Sequence, residues 1–220
     1  MNEQRAGVLF DVDGTLVDST YLHILAWWRA FREVGRTVPM AAIHRCIGMA
    51  SERLVQELLG EAQPGVSELH SRQLEGLRGD MRAFEGAAEL LRSVSKRGAT
   101  VVLATSAKEE DLPSLLGTIG AEDAVDEVIS SAKVERGKPA GDIFTLALKA
   151  AGLSADRAVV VGDTIWDIEA GRRIGLRCIS VLTGGIGRRE LEAEGSLAVY
   201  QDVSQLLARL DQSPIGSLLR

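Results

Sequence analysis

Apolar residues fall into two kinds of run along this chain. Val8-Leu9-Phe10, Thr100-Val101-Val102-Leu103-Ala104 and Ala158-Val159-Val160-Val161 are short and nearly continuous. Runs of that length and composition predict strands buried on both faces. Between 20 and 82 the spacing changes. Leu22, Leu25, Ala26 and Ala30 recur at helical intervals. Helices are predicted at 20–34, 40–47, 52–59 and 67–81, with Ser51 as the N-cap of the third and Gly35, Gly48 and Gly60 as stops. From residue 87 helix and strand alternate. Helices are expected at 87–96, 111–119, 142–151, 165–174, 188–194 and 203–210. Further strands are expected at 127–129, 177–181 and 198–200, and the tail from Gln212 is expected to fray.

Strands separated by helices imply a parallel sheet with right-handed crossovers and helices on both faces. The fold class is α/β: a Rossmann-like, doubly wound parallel core with an inserted all-α domain. Residues 1–17 and 83–220 form the core, and 18–82 form the insert.

Polar residues stand where the predicted strands end. Asp11 and Asp13 follow the first, Thr105 and Ser106 the second, and Asp163 the third. In an open parallel sheet these ends share one edge, where ligands bind. Asp11 and Asp13, two positions apart at a strand end, can face one cavity. Paired carboxylates repel unless a cation or a shared proton offsets them. A hard cation with oxygen ligands, Mg²⁺, suits them. Lys138, in Arg136-Gly137-Lys138-Pro139, can reach over the same edge.

Each group has a task if the substrate is a phosphate ester. Asp11 would attack phosphorus, and Asp13 would serve as acid and then base. Thr105 and Ser106 would bind the phosphoryl group. Lys138 would neutralise charge on it and on Asp11. Asp163 would hold the metal with Asp11 and the main-chain carbonyl of Asp13. Asp167, one helical turn on, would orient a metal-bound water. Taken singly, Thr105 reads equally as a helix cap, Lys138 as a surface lysine and Asp167 as a first-turn acid; it is their order that argues for a site.

The chain has 220 residues and a formal charge of −6. That length can bury a sizeable core. The acidic balance argues against a nucleic-acid partner. No apolar run is long enough to span a bilayer, and the polar first residues do not resemble a leader. Cys46 and Cys178 are expected to be reduced thiols, and with three scattered histidines they make no zinc spacing. A cytoplasmic protein is the expectation.

The order of these clusters resembles that of haloacid dehalogenase-superfamily hydrolases. D-V-D-G-T-L-V-D-S, V-L-A-T-S, G-K-P-A-G-D-I-F and V-V-V-G-D-T-I-W-D-I-E-A-G are similar to that family's four motifs in turn, over 6–183. The resemblance implies a phosphatase with a helical cap, Mg²⁺ as cofactor, a small phosphorylated metabolite as partner, and a monomer or homodimer. Asp13 favours phosphoryl transfer over dehalogenation. A phosphomutase similar to β-phosphoglucomutase is the alternative, and a non-catalytic binding protein on the same fold a further one. No lysine occurs between 1 and 86, which sets aside a Schiff-base phosphonatase. Gly141 departs from the family's frequent proline and is expected to loosen a helix start. Specificity should lie in the cap, with Tyr21, His23, Trp27, Trp28, Arg45, Met49 and Arg53 as candidates. His23 and His44 are expected to be surface or capping residues, and Lys108 a possible phosphate aid or a surface residue.

Overall fold

The computed structural model describes residues 5–107, 109–130, 134 and 136–220. Lys108 and the first four residues therefore lie outside the described residues. Six strands form one parallel sheet: β1 (Gly7–Phe10), β4 (Thr100–Thr105), β5 (Glu127–Ser130), β6 (Ala158–Gly162), β7 (Arg177–Val181) and β8 (Ala198–Tyr200). Their order is β5-β4-β1-β6-β7-β8. The first strand is thus central, with β4 on one side and β6 on the other. In register, Phe10 lies opposite Leu103 and Val161, so the three strands run out together.

The alternation of side chains divides the core into two layers. Val8 and Phe10 join Val101, Leu103, Val159 and Val161 on one face. That face is covered by α5 (Ala87–Lys96), α6 (Leu112–Ile119) and α10 (Val203–Ala208). Leu9, Val102 and Val160 point the other way, onto α7 (Asp142–Ala151) and α8 (Ile165–Arg172). The remaining core helix, α9 (Arg188–Glu194), packs on α8.

Four helices follow β1: α1 (Thr20–Glu33), α2 (Met40–Cys46), α3 (Ser51–Leu59) and α4 (Val66–Glu75). They enclose a third cluster of their own, built on Trp27, Phe31, Ile43, Leu54 and Val66. A two-residue antiparallel pair, β2 (Val17–Asp18) with β3 (Arg82–Ala83), closes the base of this excursion. Two joints side by side hold both ends of the helical segment in one place.

Residues 67–81 are not one helix: α4 stops at Glu75, and a 3₁₀ turn, Arg78–Asp80, brings the chain back to β3. Gly76 and Gly79 weaken helix there. Ser51 does not cap α3. Ala50 holds the cap position in extended backbone and donates its N–H to Lys138 O at 3.0 Å. The tail does not fray. Pro214 starts a last helix, α11 (Pro214–Leu218), with Ser213 accepting from Gly216 N at 3.3 Å. Ile215 is fully buried in the first core cluster, and burial of that side chain is what holds the tail down. At Gly141, just before α7, a Cβ would lie 2.5 Å from Ile174 Cγ2 and 3.0 Å from Ala170 O, so α8 and the residues after it occupy the space that a side chain would need. Both cysteines are free and buried.

Candidate active site

Asp11 leaves β1 with its N–H still donating to Val161 O at 2.9 Å, so sheet pairing fixes its backbone. Asp163 leaves the neighbouring β6. Their carboxylates meet at Thr15, whose hydroxyl donates to Asp163 Oδ1 at 2.8 Å and lies 3.4 Å from Asp11 Oδ2. Gly14 turns the chain there with φ of +82°, and a Cβ would strike Asp163 Oδ2 at 2.4 Å. Both the left-handed backbone and the close approach require glycine.

Lys138 enters from the loop before α7 and is only 1 % exposed. Its Nζ contacts Asp11 Oδ1 and lies 2.7 Å from Asp167 Oδ1. The second oxygen of Asp167 accepts from Thr164 N at 3.1 Å and from Thr164 Oγ1 at 2.6 Å, closing a capping box at the start of α8. The lysine is thus held between a residue of the first strand's end and a residue locked by a helix cap.

Asp11, Asp163 and Asp167 gather so closely that one oxygen of each lies within 4.8 Å of the others. One lysine stands against three carboxylates. Burial accordingly pushes Asp11 up to about 7 despite Lys138, and raises Asp163 well above the usual carboxylate range. Lys138 is stabilised as the cation: burial acts against its charge, but Asp11 and Asp167 outweigh that. Asp163 Oδ2 is buried with no hydrogen-bond partner. An oxygen-only donor set, an excess of negative charge and an orphaned carboxylate oxygen fit a hard divalent cation.

Asp13 is turned away from this cluster. Its Oδ1 accepts from Ser19 Oγ at 2.6 Å and lies 3.2 Å from His23 Nε2. Burial alone would raise its pKa, but the charge and hydrogen bond of His23 and the bond from Ser19 bring it below the usual value. His23 in turn lies 3.3 Å from His70 of α4 through its Nδ1. His70 stacks on Trp27 with ring centroids 4.1 Å apart. His23 is therefore not the surface or capping residue that the sequence suggested. It sits at i+10 from Asp13 with no sequence signature; only the fold of α1 back over β1 brings them together. His44 donates from Nε2 to Gly184 O at 2.7 Å, which ties α2 to the core.

Thr105 ends β4 and is buried, and its Oγ1 accepts from Ala107 N at 3.0 Å. Ser106 is exposed and lines a chamber between the helical segment and the sheet edge. Asp11, Asp13 and His23 form the floor of that chamber. Trp27, Met49, Leu54 and Leu115 supply apolar wall. Of the candidate specificity residues, Trp27, His23 and Met49 reach it. Arg45 instead pairs with Glu190 and Arg53 with Glu57. Trp28 carries the Arg32 guanidinium over its ring, and Tyr21 is exposed beside His44.

The family model for haloacid dehalogenase-like hydrolases matches residues 8–181. Validoxylamine A 7'-phosphate phosphatase of Streptomyces hygroscopicus subsp. limoneus is 30 % identical over 180 residues, covering 80 % of this chain and 84 % of that one. Phosphoglycolate phosphatase of Pseudomonas putida is 26 % identical over 211 residues, covering 91 % and 78 %. The crystal structure of a hydrolase from Pseudomonas syringae superposes with a TM-score of 0.89 at 33 % identity, covering 94 % and 99 %. This chain belongs to the haloacid dehalogenase-like hydrolase family, in its phosphatase branch.

Proposed function

We propose that the protein is a Mg²⁺-dependent phosphatase that hydrolyses a small phosphate monoester through an aspartyl-phosphate on Asp11. The observation that carries this is the charge cluster: Lys138 between Asp11 and Asp167, beside the unpartnered Asp163 Oδ2, with Asp13 held apart on His23 and Ser19. Asp13 thereby lines the chamber beside Asp11 while its carboxylate is held by Ser19 and His23 rather than by Lys138.

In the first half-reaction a carboxylate oxygen of Asp11 attacks phosphorus and the ester P–O bond breaks. Asp13, in its protonated form, gives its proton to the leaving alkoxide. Lys138 stabilises the charge on the transferring group, and Thr105 and Ser106 hydrogen-bond its oxygens. In the second half-reaction Asp13 takes a proton from water as that water attacks phosphorus. The acyl-phosphate bond breaks, and the Asp11 carboxylate and free phosphate are released. The depressed pKa of Asp13 in this arrangement keeps it ionised, as the second step requires, so the first step draws on its protonated minority. Mg²⁺ would be held by Asp11, Asp163 and the main-chain carbonyl of Asp13, with Asp167 behind them, and would supply charge neutralisation and Lewis-acid polarisation.

Residues 18–82 act as a cap on a core of 1–17 and 83–220, admitting substrate and then excluding water. No helix among the described residues is long and apolar enough to cross a membrane, and the reading places a monomer or homodimer in the cytoplasm, acting on small metabolites. The relatives include a validoxylamine A 7'-phosphate phosphatase and phosphoglycolate phosphatases, so the substrate class must come from the chamber itself.

The test is phosphate release from a panel of phosphorylated metabolites, with Mg²⁺ and with chelator, for the wild type and Asp11→Asn. Metal-dependent release that Asp11→Asn abolishes, with the fold intact, is expected. No release from any ester by folded protein would overturn the reading. Isomerised sugar phosphate in place of free phosphate would redirect it to a phosphomutase.

A further inference from the structure

We infer that the turn 182–185 couples the helical segment to the metal site, with His44 of α2 as a positioning residue for Asp163, so that docking of α2 and binding of Mg²⁺ strengthen one another. This rests on the Mg²⁺ reading above and adds a residue from outside the core to the control of that site. Leu182–Gly184 is a 3₁₀ turn at the end of β7, and Gly185 closes it in left-handed backbone with φ of +81°. β7 pairs with β6, Ser180 opposite Gly162, so the turn leaves the sheet beside Asp163. Consecutive residues of the turn then reach different parts of the molecule. Thr183 donates from Oγ1 to Gly14 O at 2.5 Å, in the tight turn after Asp13. Gly184 is buried against Asp163, so closely that a Cβ would meet Oδ2 at 1.8 Å. The Gly184 carbonyl accepts from His44 Nε2 at 2.7 Å. At Gly185 a Cβ would stand 2.8 Å from Tyr21 Oη and 2.9 Å from His44 Cε1, so the helical segment also fills the space over the end of the turn.

One residue thus meets the metal-site carboxylate with its Cα and the helical segment with its carbonyl. Asp163 Oδ2 is the oxygen that has no hydrogen-bond partner in the charge cluster, and the Gly184 backbone limits where it can stand. Close-packed interiors pass such a displacement on rather than absorb it. When α2 is docked, His44 fixes the Gly184 carbonyl, and the peptide backs the carboxylate. When α2 is away, that bond is lost and the backing is free to shift. Groups that orient a metal ligand from behind are worth ~10–100-fold in metal affinity. Linkage makes the effect reciprocal: whatever docked α2 adds to Mg²⁺ binding, Mg²⁺ adds to the docking of α2. The neighbouring Arg45 serves as an internal comparison. Its pair with Glu190 joins the same helix to α9 rather than to the turn, with both side chains well exposed.

The test is calorimetric titration of Mg²⁺ into metal-free protein, for wild type, His44→Leu, His44→Gln and Arg45→Gln, each checked by circular dichroism. His44→Leu, which removes the donor, is expected to weaken Mg²⁺ binding by about tenfold. His44→Gln offers an amide N–H in place of Nε2–H and should stay within about threefold of wild type. Arg45→Gln also takes a bond from α2 and should leave the affinity unchanged. The reciprocal readout is backbone hydrogen exchange followed by mass spectrometry. In wild type, saturating Mg²⁺ should slow exchange across 40–46 by at least about threefold relative to chelator, and in His44→Leu that slowing should vanish. Wild-type Mg²⁺ affinity in folded His44→Leu would overturn the inference while leaving the metal-dependent phosphatase standing. So would equal losses in all three variants, since they would mean that any loosening of α2 has the same effect. Should His44→Leu fail to fold, the wild-type exchange decides: rates across 40–46 that Mg²⁺ does not change would overturn the inference. No Mg²⁺ binding by wild type would overturn both it and the metal reading.

Discussion

His23 lies 3.2 Å through Nε2 from Oδ1 of Asp13, so the residue proposed to move protons is contacted directly by the first helix of the cap segment. This contact, with the bond from Ser19, holds the Asp13 carboxyl below its usual range. Replacing His23 by Gln should therefore raise the pKa of Asp13 and, because the first half-reaction uses protonated Asp13, shift the alkaline limb of the kcat/KM profile to higher pH. We expect kcat to fall by about tenfold, less than the ~10²–10⁴-fold of a full general acid–base contribution, because Asp13 itself remains. A pH–rate profile superimposable on that of the wild type would show that His23 only packs.

Lys138 is buried between Asp11 and Asp167. Lys138→Ala would leave both carboxylates without their cation. Breaking a buried pair in this way costs about 3–5 kcal/mol. Urea unfolding in chelator at pH 7.5 should show that loss, and it should shrink at pH 5 as the carboxylates protonate. A variant as stable as wild type at pH 7.5 would contradict the charge balance described above.

The metal-free protein should lose stability as pH rises. Burial raises Asp11 from 3.8 to about 7, and Asp163 moves in the same direction. A raised carboxyl binds more protons folded than unfolded, so its contribution is complete below pH 3.8 and is lost as pH climbs through about 7. Asp13 has the opposite sign, contributing above its unfolded value and losing that only in acid. Thermal melting in chelator should thus give a lower Tm at pH 8 than at pH 5.5, and Mg²⁺ should raise Tm more at pH 8. A Tm in chelator that is flat or rising across this range would oppose it.

Gly184 follows β7 and faces Asp163: a Cβ there would lie 1.8 Å from Asp163 Oδ2. Gly184→Ala removes no ligand, yet it should force that carboxylate aside. The expected result is at least about a tenfold loss of Mg²⁺ affinity by calorimetry, with the circular dichroism spectrum unchanged. Wild-type affinity would mean that Asp163 does not hold the ion through this oxygen.

What could be read from residues alone follows from how local each signal is. β1, β4 and β6 are apolar runs that end in acids or hydroxyls, and helices such as 87–96 and 142–151 carry their period in their own sequence, so all were visible. Lys138, Asp163 and Asp167 were visible because the sheet brings strand ends to one edge. β2 and β3 were not, because two residues carry no period and their pairing joins positions 66 and 64 apart in the chain, Val17 with Ala83 and Asp18 with Arg82. The 3₁₀ turn Arg78–Asp80 was hidden inside a segment that looked helical. The role of His23 was hidden for a further reason: Asp13, Ser19 and His23 share a side only once α1 turns back over the strand end, and His70 arrives from a different helix.

The N–H of Ala50 donates to the carbonyl of Lys138, and the adjoining Gly137 has no room for a Cβ, which would stand 2.6 Å from Ala50 Cβ. Lid and lysine are therefore braced through one peptide. A chimera that grafts another lid onto this core would have to bring a main-chain donor to the same spot, or the lysine would lose its support while every acidic side chain stayed in place. If residues 18–82 open as a lid, as proposed, the opening must stretch or break this hydrogen bond, so access to the chamber and the support of Lys138 would share a single joint.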